Sequence, residues 1–374
     1  MKISKLKIMT ILGTRPEIIR LSCILPKMDE FFEHIIVYTQ QSYSYELSDI
    51  FFYEVELRKL DYVLVVKSVT LGGQIANIIE QTEKVILKEM PDAVLILGDT
   101  NSALSAINAK RLKIPIFHME AGNRSFDWDV PEEVNRRIVD HISDYNLCYT
   151  EHARRYLLAE GVESKNIFVT GSPLAEVYGY LKNKIDSSSI LDSLKIKSGE
   201  YFLVSTHREE NVDNGDRLRE LFSSFDFLTT EYKLPIVVSL HPRTKKRLGQ
   251  MRIKVNFRVF LCKPFGYLEY CKLQKNALCV LSDSGSIQEE SAIQQFPAVQ
   301  IRVSTERPEA FDAGSIILCG FNKHSIASSI KIAIDEKKKG KHTIPSDYKD
   351  ENVSEKVVKL IMGLTGISKY HGRR

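Results

Sequence analysis

Two kinds of apolar pattern alternate along the chain. Short continuous apolar runs, of which 93–97 is an example, are typical of strands buried on both faces of a parallel sheet. Longer stretches such as 73–88 repeat apolar residues at three- and four-residue steps, which indicates helices with one buried face. The short runs predict strands at 7–12, 34–39, 93–97, 114–118, 145–149, 167–170, 201–205, 236–240, 259–261, 277–281, 298–301 and 315–318.

This alternation predicts an α/β fold in which helices cover both faces of parallel sheets. A single core rarely grows beyond about 250–300 residues, and the chain has 374. The pattern also breaks at Gly171-Ser172-Pro173 and then restarts. We therefore predict two doubly wound, Rossmann-like domains at 1–172 and 173–350, followed by a C-terminal segment at 351–374 whose helix carries an apolar stripe.

Polar residues follow several of the predicted strands, and ligands bind beyond the carboxyl ends of strands in such sheets. After the first strand, Thr14 and Glu17 have the spacing of a capping box, and Arg15 between them could bind phosphate at the helix start. Asp99 follows the third strand and Glu120 the fourth. Two acids after adjacent strands can face one cleft, although an aspartate in this position is more often a helix cap.

Glu132 and Glu133 stand at the start of the next predicted helix. Adjacent positions point about 100° apart on a helix, so these two carboxylates cannot both face the same site. One is available for catalysis and the other for structure. The alternative interpretation is that both form salt bridges with the arginines four positions later.

The second half of the chain has its own polar strand ends. His207 follows the first of its strands, where a histidine can act as an acid, a base or a phosphate partner. Ser284, Gly285 and Ser286 form a small turn before a helix, and the backbone N–H groups there would bind an anion such as a diphosphate. A carboxylate one turn into that helix could hold a ribose, and Arg307 lies in a later rigid turn.

Composition and motifs exclude several classes of function. Lys and Arg number 52 against 48 Asp and Glu, a balance too even for a protein whose main partner is nucleic acid. The apolar runs are far shorter than the roughly 18 residues of a membrane span, and charges interrupt the N-terminal apolar patch, so we expect no membrane segment. Neither the dinucleotide-binding G-x-G-x-x-G nor a Walker loop occurs.

The six cysteines are dispersed, as expected of free thiols in a reducing cytoplasm. No Cys/His spacing suggests structural zinc. His118 and Glu120 could share a metal ion, but no third ligand is in view, and we predict no metal site.

Eight short motifs occur in the order in which one enzyme family has them. Each motif is weak alone, but eight in order across both halves are specific, and the chain resembles the non-hydrolysing UDP-N-acetylglucosamine 2-epimerase family. The motifs are G-T-R-P-E at 13–17, G-D-T at 98–100, E-A-G at 120–122, P-E-E-x-N-R at 131–136, T-H-R-x-E-N at 206–211, S-D-S-G at 282–285, Q-E-E at 288–290 and E-R-P-E at 306–309.

The resemblance implies two Rossmann-like domains facing a cleft, as in GT-B glycosyltransferases, with the C-terminal helix returning to the first domain. It also implies a homodimer that uses neither a metal nor a redox cofactor. The family interconverts UDP-GlcNAc and UDP-ManNAc by anti elimination of UDP to a 2-acetamidoglucal. UDP then adds back and the C2 proton arrives on the other face.

The same resemblance assigns roles to residues. Asp99, Glu120, Glu132 and His207 are the expected catalytic residues, and the face of C2 that each acid serves stays open. Glu290 is expected at the ribose, and Phe265 and Tyr270 beside the uracil. The full set expected to bind the UDP-sugar is Arg15, Arg20, Arg136, Phe265, Tyr270, Ser284, Gly285, Ser286, Glu290 and Arg307.

Departures from the family pattern bear on the substrate. The residues at 39–43 read T-Q-Q-S-Y where the family has T-G-Q-H-R, which puts the associated allosteric activation by UDP-GlcNAc in doubt. Segments 240–244 and 265–268 look closer to the capsule and O-antigen branch, which acts on UDP-2-acetamido-2,6-dideoxy-L-hexoses. The substrate is therefore open between those sugars and UDP-GlcNAc. The alternatives to a non-hydrolysing epimerase are a GT-B glycosyltransferase that uses a UDP-sugar donor, a UDP-sugar sensor and a hydrolysing epimerase.

Overall fold

The computed structural model describes residues 5–40, 54–128, 130–206, 208, 211, 213–240 and 242–370. The chain divides into two compact units. The first contains the residues up to Tyr180 together with those from Asp347 onward, and the second contains Leu181–Ser346.

The first unit is built on a seven-stranded parallel sheet in the spatial order β3-β2-β1-β4-β5-β6-β7. The order reverses between β1 and β4, which makes the sheet doubly wound. Its strands are β1 (Lys7–Leu12), β2 (Glu33–Tyr38), β3 (Tyr62–Val63), β4 (Ala93–Leu97), β5 (Ile116–Met119), β6 (Tyr145–Cys148) and β7 (Ile167–Val169). Its helices are α1 (Arg15–Leu21), α2 (Ile24–Phe31), α3 (Leu71–Glu89), α4 (Ala106–Arg111), α5 (Pro131–Ile142) and α6 (Glu151–Ala159), with α7 (Leu174–Ser187) at the boundary of the units.

The second unit repeats this plan with a six-stranded parallel sheet in the order β10-β9-β8-β11-β12-β13. The reversal here falls between β8 and β11. Its strands are β8 (Phe202–Thr206), β9 (Ile236–Leu240), β10 (Val259–Cys262), β11 (Cys279–Ser282), β12 (Ala298–Gln300) and β13 (Ile317–Leu318). Its helices are α8 (Ile190–Ser193), α9 (Gly215–Tyr232), α10 (Pro242–Met251), α11 (Tyr267–Asn276), α12 (Ile287–Gln294), α13 (Pro308–Asp312) and α14 (Lys323–Lys338).

The predicted α/β class with parallel sheets is confirmed, and each strand expected from an apolar run forms within two residues of its predicted position. β3 is the strand that the pattern missed. Its two residues are half-buried or exposed, and only pairing with β2 makes them a strand. The apolar pattern therefore located the strands that carry an apolar run, most of which are buried, and missed the short strand that carries none.

The C-terminal helix α15 (Val353–Tyr370) packs against α2 within the first unit. Val353, Val357 and Ile361 are buried along one stripe. At the helix start, the backbone N–H of Ser354 donates to a carboxylate oxygen of Glu176 at 2.9 Å. Near the end of the helix Ser368 is buried, and its hydroxyl lies 2.6 Å from that of Tyr145 in β6.

No helix in the described part of the chain is long and apolar enough to cross a bilayer. All six cysteines are free thiols, as predicted, and four of them are buried. Burial raises the pKa of Cys148 and Cys279 well above the ordinary thiol value, so these two are small core residues rather than nucleophiles.

Two adjacent positions in α3 provide a matched test of the core. Ile86 is 0% exposed and packs in the core of the first unit, whereas Leu87 is 51% exposed. We expect Ile86→Ala to lower the free energy of unfolding by about 2–5 kcal/mol, because it removes buried methyl groups and leaves a cavity. Leu87→Ala should change it by less than about 0.5 kcal/mol. Urea unfolding of the two variants measures both values, and equal losses would contradict the assigned face of the helix.

Candidate active site

The reversal point of the first sheet brings the loops after β1 and β4 together, and Glu17 bridges them. Its carboxylate accepts hydrogen bonds from the backbone N–H groups of Gly13 and Thr14. It also accepts from the hydroxyl of Thr14 at 3.0 Å and from that of Thr100 at 2.7 Å. Thr14 and Glu17 thus form the predicted capping box, and the carboxylate in addition ties the Arg15 loop to the loop that carries Asp99.

The Glu17 carboxylate is buried beneath these loops. Burial raises its pKa to about 7, against the hydrogen bonds, which lower it. Glu17 therefore titrates near neutral pH at the reversal point, where ligands bind in sheets of this kind.

Asp99 lies at the carboxyl end of β4 and is held by Arg136 of α5. The Nε and Nη2 atoms of Arg136 donate to one oxygen of Asp99 at 2.9 and 2.6 Å. The Nη1 atom donates to Glu133 at 3.2 Å, so two carboxylates fix the guanidinium plane. Asn135 also donates its side-chain amide to the backbone oxygen of Asp99 at 2.9 Å. The aspartate is thereby oriented from two neighbouring positions on one helix.

Glu120 immediately follows β5, the neighbour of β4, and has a backbone φ of +63°. This left-handed conformation is uncommon for a residue with a side chain and costs of order 1–2 kcal/mol. It turns the carboxylate toward the end of β4, since a Cβ atom on Gly98 would lie 3.6 Å from a carboxylate oxygen of Glu120. Asn123 donates to the other carboxylate oxygen at 3.2 Å. The structure thus places the carboxylates of Asp99 and Glu120 at adjacent strand ends.

A buried ionic network stabilises the loop that follows Glu120. Asp140 is fully buried, lies 2.9 Å from Nδ1 of His118 and accepts from Nη1 of Arg124 at 2.7 Å. Burial by itself would raise the pKa of Asp140, but the hydrogen bond and charge of His118 and the charge of Arg124 outweigh it and hold the pKa below its ordinary value. Arg124 also forms a two-pronged pair with Glu160 at 2.8 and 2.6 Å.

His118 completes this arrangement from within β5. Its Nε2 atom donates to the backbone oxygen of Gly98 at 2.8 Å. Because Nδ1 faces Asp140, both ring nitrogens are engaged by the protein, and His118 is a structural residue that connects the ends of β4 and β5. Among the described residues, no group of three or more His, Cys, Asp and Glu side chains could hold a metal ion.

The structure separates the two glutamates at the start of α5. Glu133 is buried and accepts from the backbone N–H and the hydroxyl of Ser125, both at 3.0 Å, as well as from Arg136. Glu132 is exposed. Of the two residues, Glu133 is therefore the structural one, and Glu132 is the one accessible to a ligand.

Two further arginines of the candidate set lie on α1. Arg15 is its first residue and is half-buried. Arg20 is buried, and its guanidinium carbon lies 5.3 Å from the ring centroid of Tyr149, a distance typical of a cation–π contact.

In the second unit, the turn between β11 and α12 joins Ser284, Ser286 and Glu290. The two serine hydroxyls lie 2.9 Å apart, and that of Ser286 donates to one oxygen of Glu290 at 2.8 Å. Gln274 donates to the other oxygen of Glu290. The turn precedes the N-terminus of α12, where backbone N–H groups are available to an anion.

Arg307 packs against this turn. Its Nε atom donates to the backbone oxygen of Gly285 at 3.1 Å, and its Nη2 lies 3.2 Å from the buried carboxylate of Glu289. The structure thus brings Gly285 and Arg307 together beside the serines. Arg302 and Glu306 form a second buried pair at 2.8 Å, just before Arg307 in the chain.

The segment after β8 is fastened to the end of β11 by Asp283. This buried carboxylate accepts from the backbone N–H of Arg208 at 3.1 Å and from the side-chain amide of Asn211 at 3.0 Å. His207 lies outside the described residues, although its neighbour Arg208 is positioned by this contact. Phe265 and Tyr270 are half-buried and pack against the core of the second unit.

These two strand edges have different chemistry. The edge of the first sheet carries carboxylates suited to proton transfer, together with arginines. The edge of the second sheet carries a hydroxyl-rich turn, a helix N-terminus and an arginine, which suit an anion such as a diphosphate.

The sequence matches a known family over most of its length. Residues 26–362 match the family profile described as UDP-N-acetylglucosamine 2-epimerase. The chain belongs to the UDP-N-acetylglucosamine 2-epimerase family. A relative of that name from Methanocaldococcus jannaschii is 39% identical over 359 residues, which cover 93% of this chain and 98% of the relative.

Solved structures agree with this assignment to the family. UDP-N-acetylglucosamine 2-epimerase from Rickettsia bellii is 44% identical with a TM-score of 0.90, over 97% of this chain and 98% of that one. The Methanocaldococcus jannaschii enzyme in complex with UDP-GlcNAc and UDP is 37% identical with a TM-score of 0.88, over 96% and 100% of the two chains. At 11% identity, Phytolacca americana UGT2 still matches with a TM-score of 0.59, which shows that the GT-B-like fold extends beyond the family.

Several residues that position this site were not in the sequence-based set. The contacts of Arg124, Asp140 and Asn135 could not be predicted from the sequence. Each of these residues contacts a segment that is distant from it in the chain. Glu17 carried a detectable signal, since its spacing from Thr14 predicted a capping box. Its contact with Thr100 depends on the pairing of β1 with β4.

The raised pKa of Glu17 predicts a pH-dependent stability. Between the ordinary glutamate pKa of 4.5 and about 7, the folded protein holds a proton that the unfolded chain releases, so stability falls as pH rises through this window. We expect Glu17→Gln to become more stable relative to wild type by up to about 3 kcal/mol as pH rises from about 5 to 8. Urea unfolding at several pH values measures this difference. Glu83→Gln, at an exposed position of α3, is the control, and parallel curves for Glu17→Gln and wild type would disprove the assignment.

The buried network predicts a large effect at Arg124. Arg124→Leu leaves the buried carboxylate of Asp140 without its guanidinium partner, so we expect a loss of about 3–5 kcal/mol in the free energy of unfolding. Lys165→Ala removes an exposed ion pair with Glu163 and should leave the unfolding midpoint unchanged. Chemical unfolding followed by circular dichroism compares the two variants, and equal midpoints would mean that the network does not stabilise the first unit.

Proposed function

We propose that this protein is a UDP-N-acetylglucosamine 2-epimerase, which inverts C2 of the sugar by eliminating UDP and adding it back. The observation that carries this proposal is the family match over residues 26–362, with relatives that share nearly the full length of the chain. The strand edges of the two sheets support it, because they supply acids and an anion-binding turn, the two kinds of group that the reaction needs.

The chemistry explains why both kinds are required. In the elimination, a base removes the C2 proton, a double bond forms between C1 and C2, and the C1–O electron pair leaves with UDP. The C2 proton is not acidic, so the C1–O bond must break early, and the departing diphosphate must be stabilised. In the return step, UDP oxygen attacks C1 while an acid delivers a proton to the opposite face of C2. Two faces require two proton-transfer groups.

Asp99, Glu120 and Glu132 are our candidates for proton transfer, together with His207. The first two are held at adjacent strand ends, and Arg136 fixes the orientation of Asp99 by two hydrogen bonds. Glu132 is exposed at the start of α5, whereas its neighbour Glu133 is occupied by structural contacts. This separation favours Glu132 over Glu133 as the residue that meets the substrate.

UDP is proposed to bind at the edge of the second sheet. The N-terminus of α12 and the Ser284–Ser286 turn would receive the diphosphate, and Arg307 lies against that turn. Glu290 would bind the ribose by exchanging its present contacts with Ser286 and Gln274 for the sugar hydroxyls. The remaining residues proposed to contact the UDP-sugar are Arg15, Arg20, Arg136, Phe265 and Tyr270.

UDP-GlcNAc is the substrate that the family description supports. UDP-2-acetamido-2,6-dideoxy-L-hexoses, which lead to capsule and O-antigen sugars, are the second candidates because of the segments at 240–244 and 265–268. We also propose, on the family resemblance alone, that the protein functions as a homodimer.

Proton NMR in deuterated water tests the proposal directly. With UDP-GlcNAc or the 6-deoxy-L sugar and no acceptor, we expect interconversion of the C2 epimers with deuterium incorporated at C2. Glu120→Gln should slow turnover by about 10²-fold or more, since it removes a proton-transfer group. Glu83→Gln is the matched control and should retain full activity.

Other outcomes of the same experiment identify the alternatives. Release of one free UDP per turnover would indicate a hydrolysing epimerase. Activity that depends on an added acceptor would indicate a glycosyltransferase. No deuterium at C2 with either sugar would reject the epimerase, and full activity of Glu120→Gln would reject the catalytic role of Glu120.

A further inference from the structure

Cationic residues are strongly segregated along the chain. Residues 233–268 contain nine lysines and arginines and no aspartate or glutamate. The other residues therefore carry 43 cationic and 48 anionic side chains, so the rest of the chain is net negative and the positive net charge comes from this one basic segment. This segment spans β9, α10 and β10 of the second unit, and the proposed function makes no use of most of its charges.

The fold gathers part of this segment at the amino ends of two strands. The backbone oxygen of Arg258, just before β10, accepts from the N–H of Ile236, the first residue of β9, at 2.9 Å. The Nη1 atom of Arg258 donates to the backbone oxygen of Lys233 at 2.8 Å. Arg252 and Lys254 belong to the same loop, and both are exposed. We call Lys233, Arg252, Lys254, Phe257 and Arg258 the basic rim.

Apolar side chains are exposed beside these charges. Phe257 is 81% exposed at the tip of the rim, and the guanidinium carbon of Arg258 lies 5.2 Å from its ring centroid. On the adjoining edge strand β10, Phe260 is 43% and Leu261 41% exposed, although they point to opposite faces of the sheet. Phe257 is thus the most exposed of the three side chains, and it alone is part of the rim and in contact with one of its cations.

We propose that the basic rim binds the surface of an anionic phospholipid membrane. The cations attract acidic headgroups, and Phe257 inserts at the level of the headgroups, where aromatic rings are favoured. Duplex nucleic acid matches the charge but provides no apolar phase for Phe257. The exposed ring of Phe257 therefore favours lipid as the partner.

The position of the rim leaves the second unit able to bind nucleotide. The rim lies at the amino ends of β9 and β10, whereas the Ser284–Ser286 turn and Arg307 lie beyond the carboxyl ends of the strands of the same sheet. A membrane at the rim would therefore leave the opposite edge open. The protein binds the membrane peripherally, consistent with the lack of a spanning helix among the described residues.

Flotation with lipid vesicles tests this proposal on the full chain. We expect the protein to float with vesicles of phosphatidylcholine and phosphatidylglycerol at low salt, and not with vesicles of phosphatidylcholine alone. Raising the salt concentration should reduce binding, because ions screen the charges over about 10 Å at 0.1 M. The double variant Arg252→Glu/Lys254→Glu should lose more than about tenfold of the binding. Phe257→Ser should also bind more weakly, at unchanged charge.

The matched control is Lys182→Glu/Lys331→Glu, which changes the net charge equally at exposed positions of the same unit away from the rim. It should bind like wild type, and thermal unfolding of every variant verifies that it is folded. Absence of binding to the anionic vesicles, or equal loss in the control, would overturn the proposal. Stronger binding to duplex DNA or RNA than to the vesicles would also overturn it. None of these outcomes depends on epimerase activity, so the two proposals are tested separately.

Discussion

Parallel strands can be joined only by crossover connections, and this constraint determines where the protein can place its chemistry. In each sheet the chain winds outward in both directions from a central pair, β1 and β4 in the first unit and β8 and β11 in the second. The crossovers diverge from that pair and leave room at the carboxyl ends of the strands. Asp99 and the Ser284–Ser286 turn follow β4 and β11, one strand of each central pair, and Glu120 and Arg307 come after the neighbouring strands β5 and β12. The candidate site residues are thus carried by the loops, whereas most strand residues are apolar and buried.

Polar loops above an apolar sheet must be held by buried polar contacts. In the first unit these contacts are between buried ionisable side chains. Asp140 is fully buried, and His118 and Arg124 compensate its charge. Such a group is costly when it loses its partner, so the network acts as a constraint on geometry more than as a source of stability. His118 extends the constraint to the backbone of Gly98, next to Asp99. The ends of β4 and β5 are therefore coupled through buried groups that never need to meet a ligand.

The second unit holds its polar loops by hydrogen bonds from neutral N–H donors and by buried ion pairs. Asp283 fastens the segment after β8 by two hydrogen bonds, and Arg307 is held between Gly285 and Glu289. This leaves hydroxyls and a helix N-terminus at the ligand edge, which suit a diphosphate leaving group. The basic rim lies at the other end of the strands in this unit, so two surfaces of different chemistry are kept apart by the length of the sheet.

The sequence by itself determined the α/β class, the positions of the buried strands and the motifs that assign the family, because these depend on local apolar runs and on residues close together in the chain. It left β3 undetected, since two half-exposed residues become a strand only by pairing with β2. The distinction between Glu132 and Glu133 also came only from the tertiary structure, because Ser125 and Arg136 must approach from elsewhere to bury one of them. The pairing of Arg124 with Asp140 and the shifted pKa of Glu17 likewise require loops distant in sequence to meet. Periodicity reports which residues are buried, but only the packed fold decides what they are buried against.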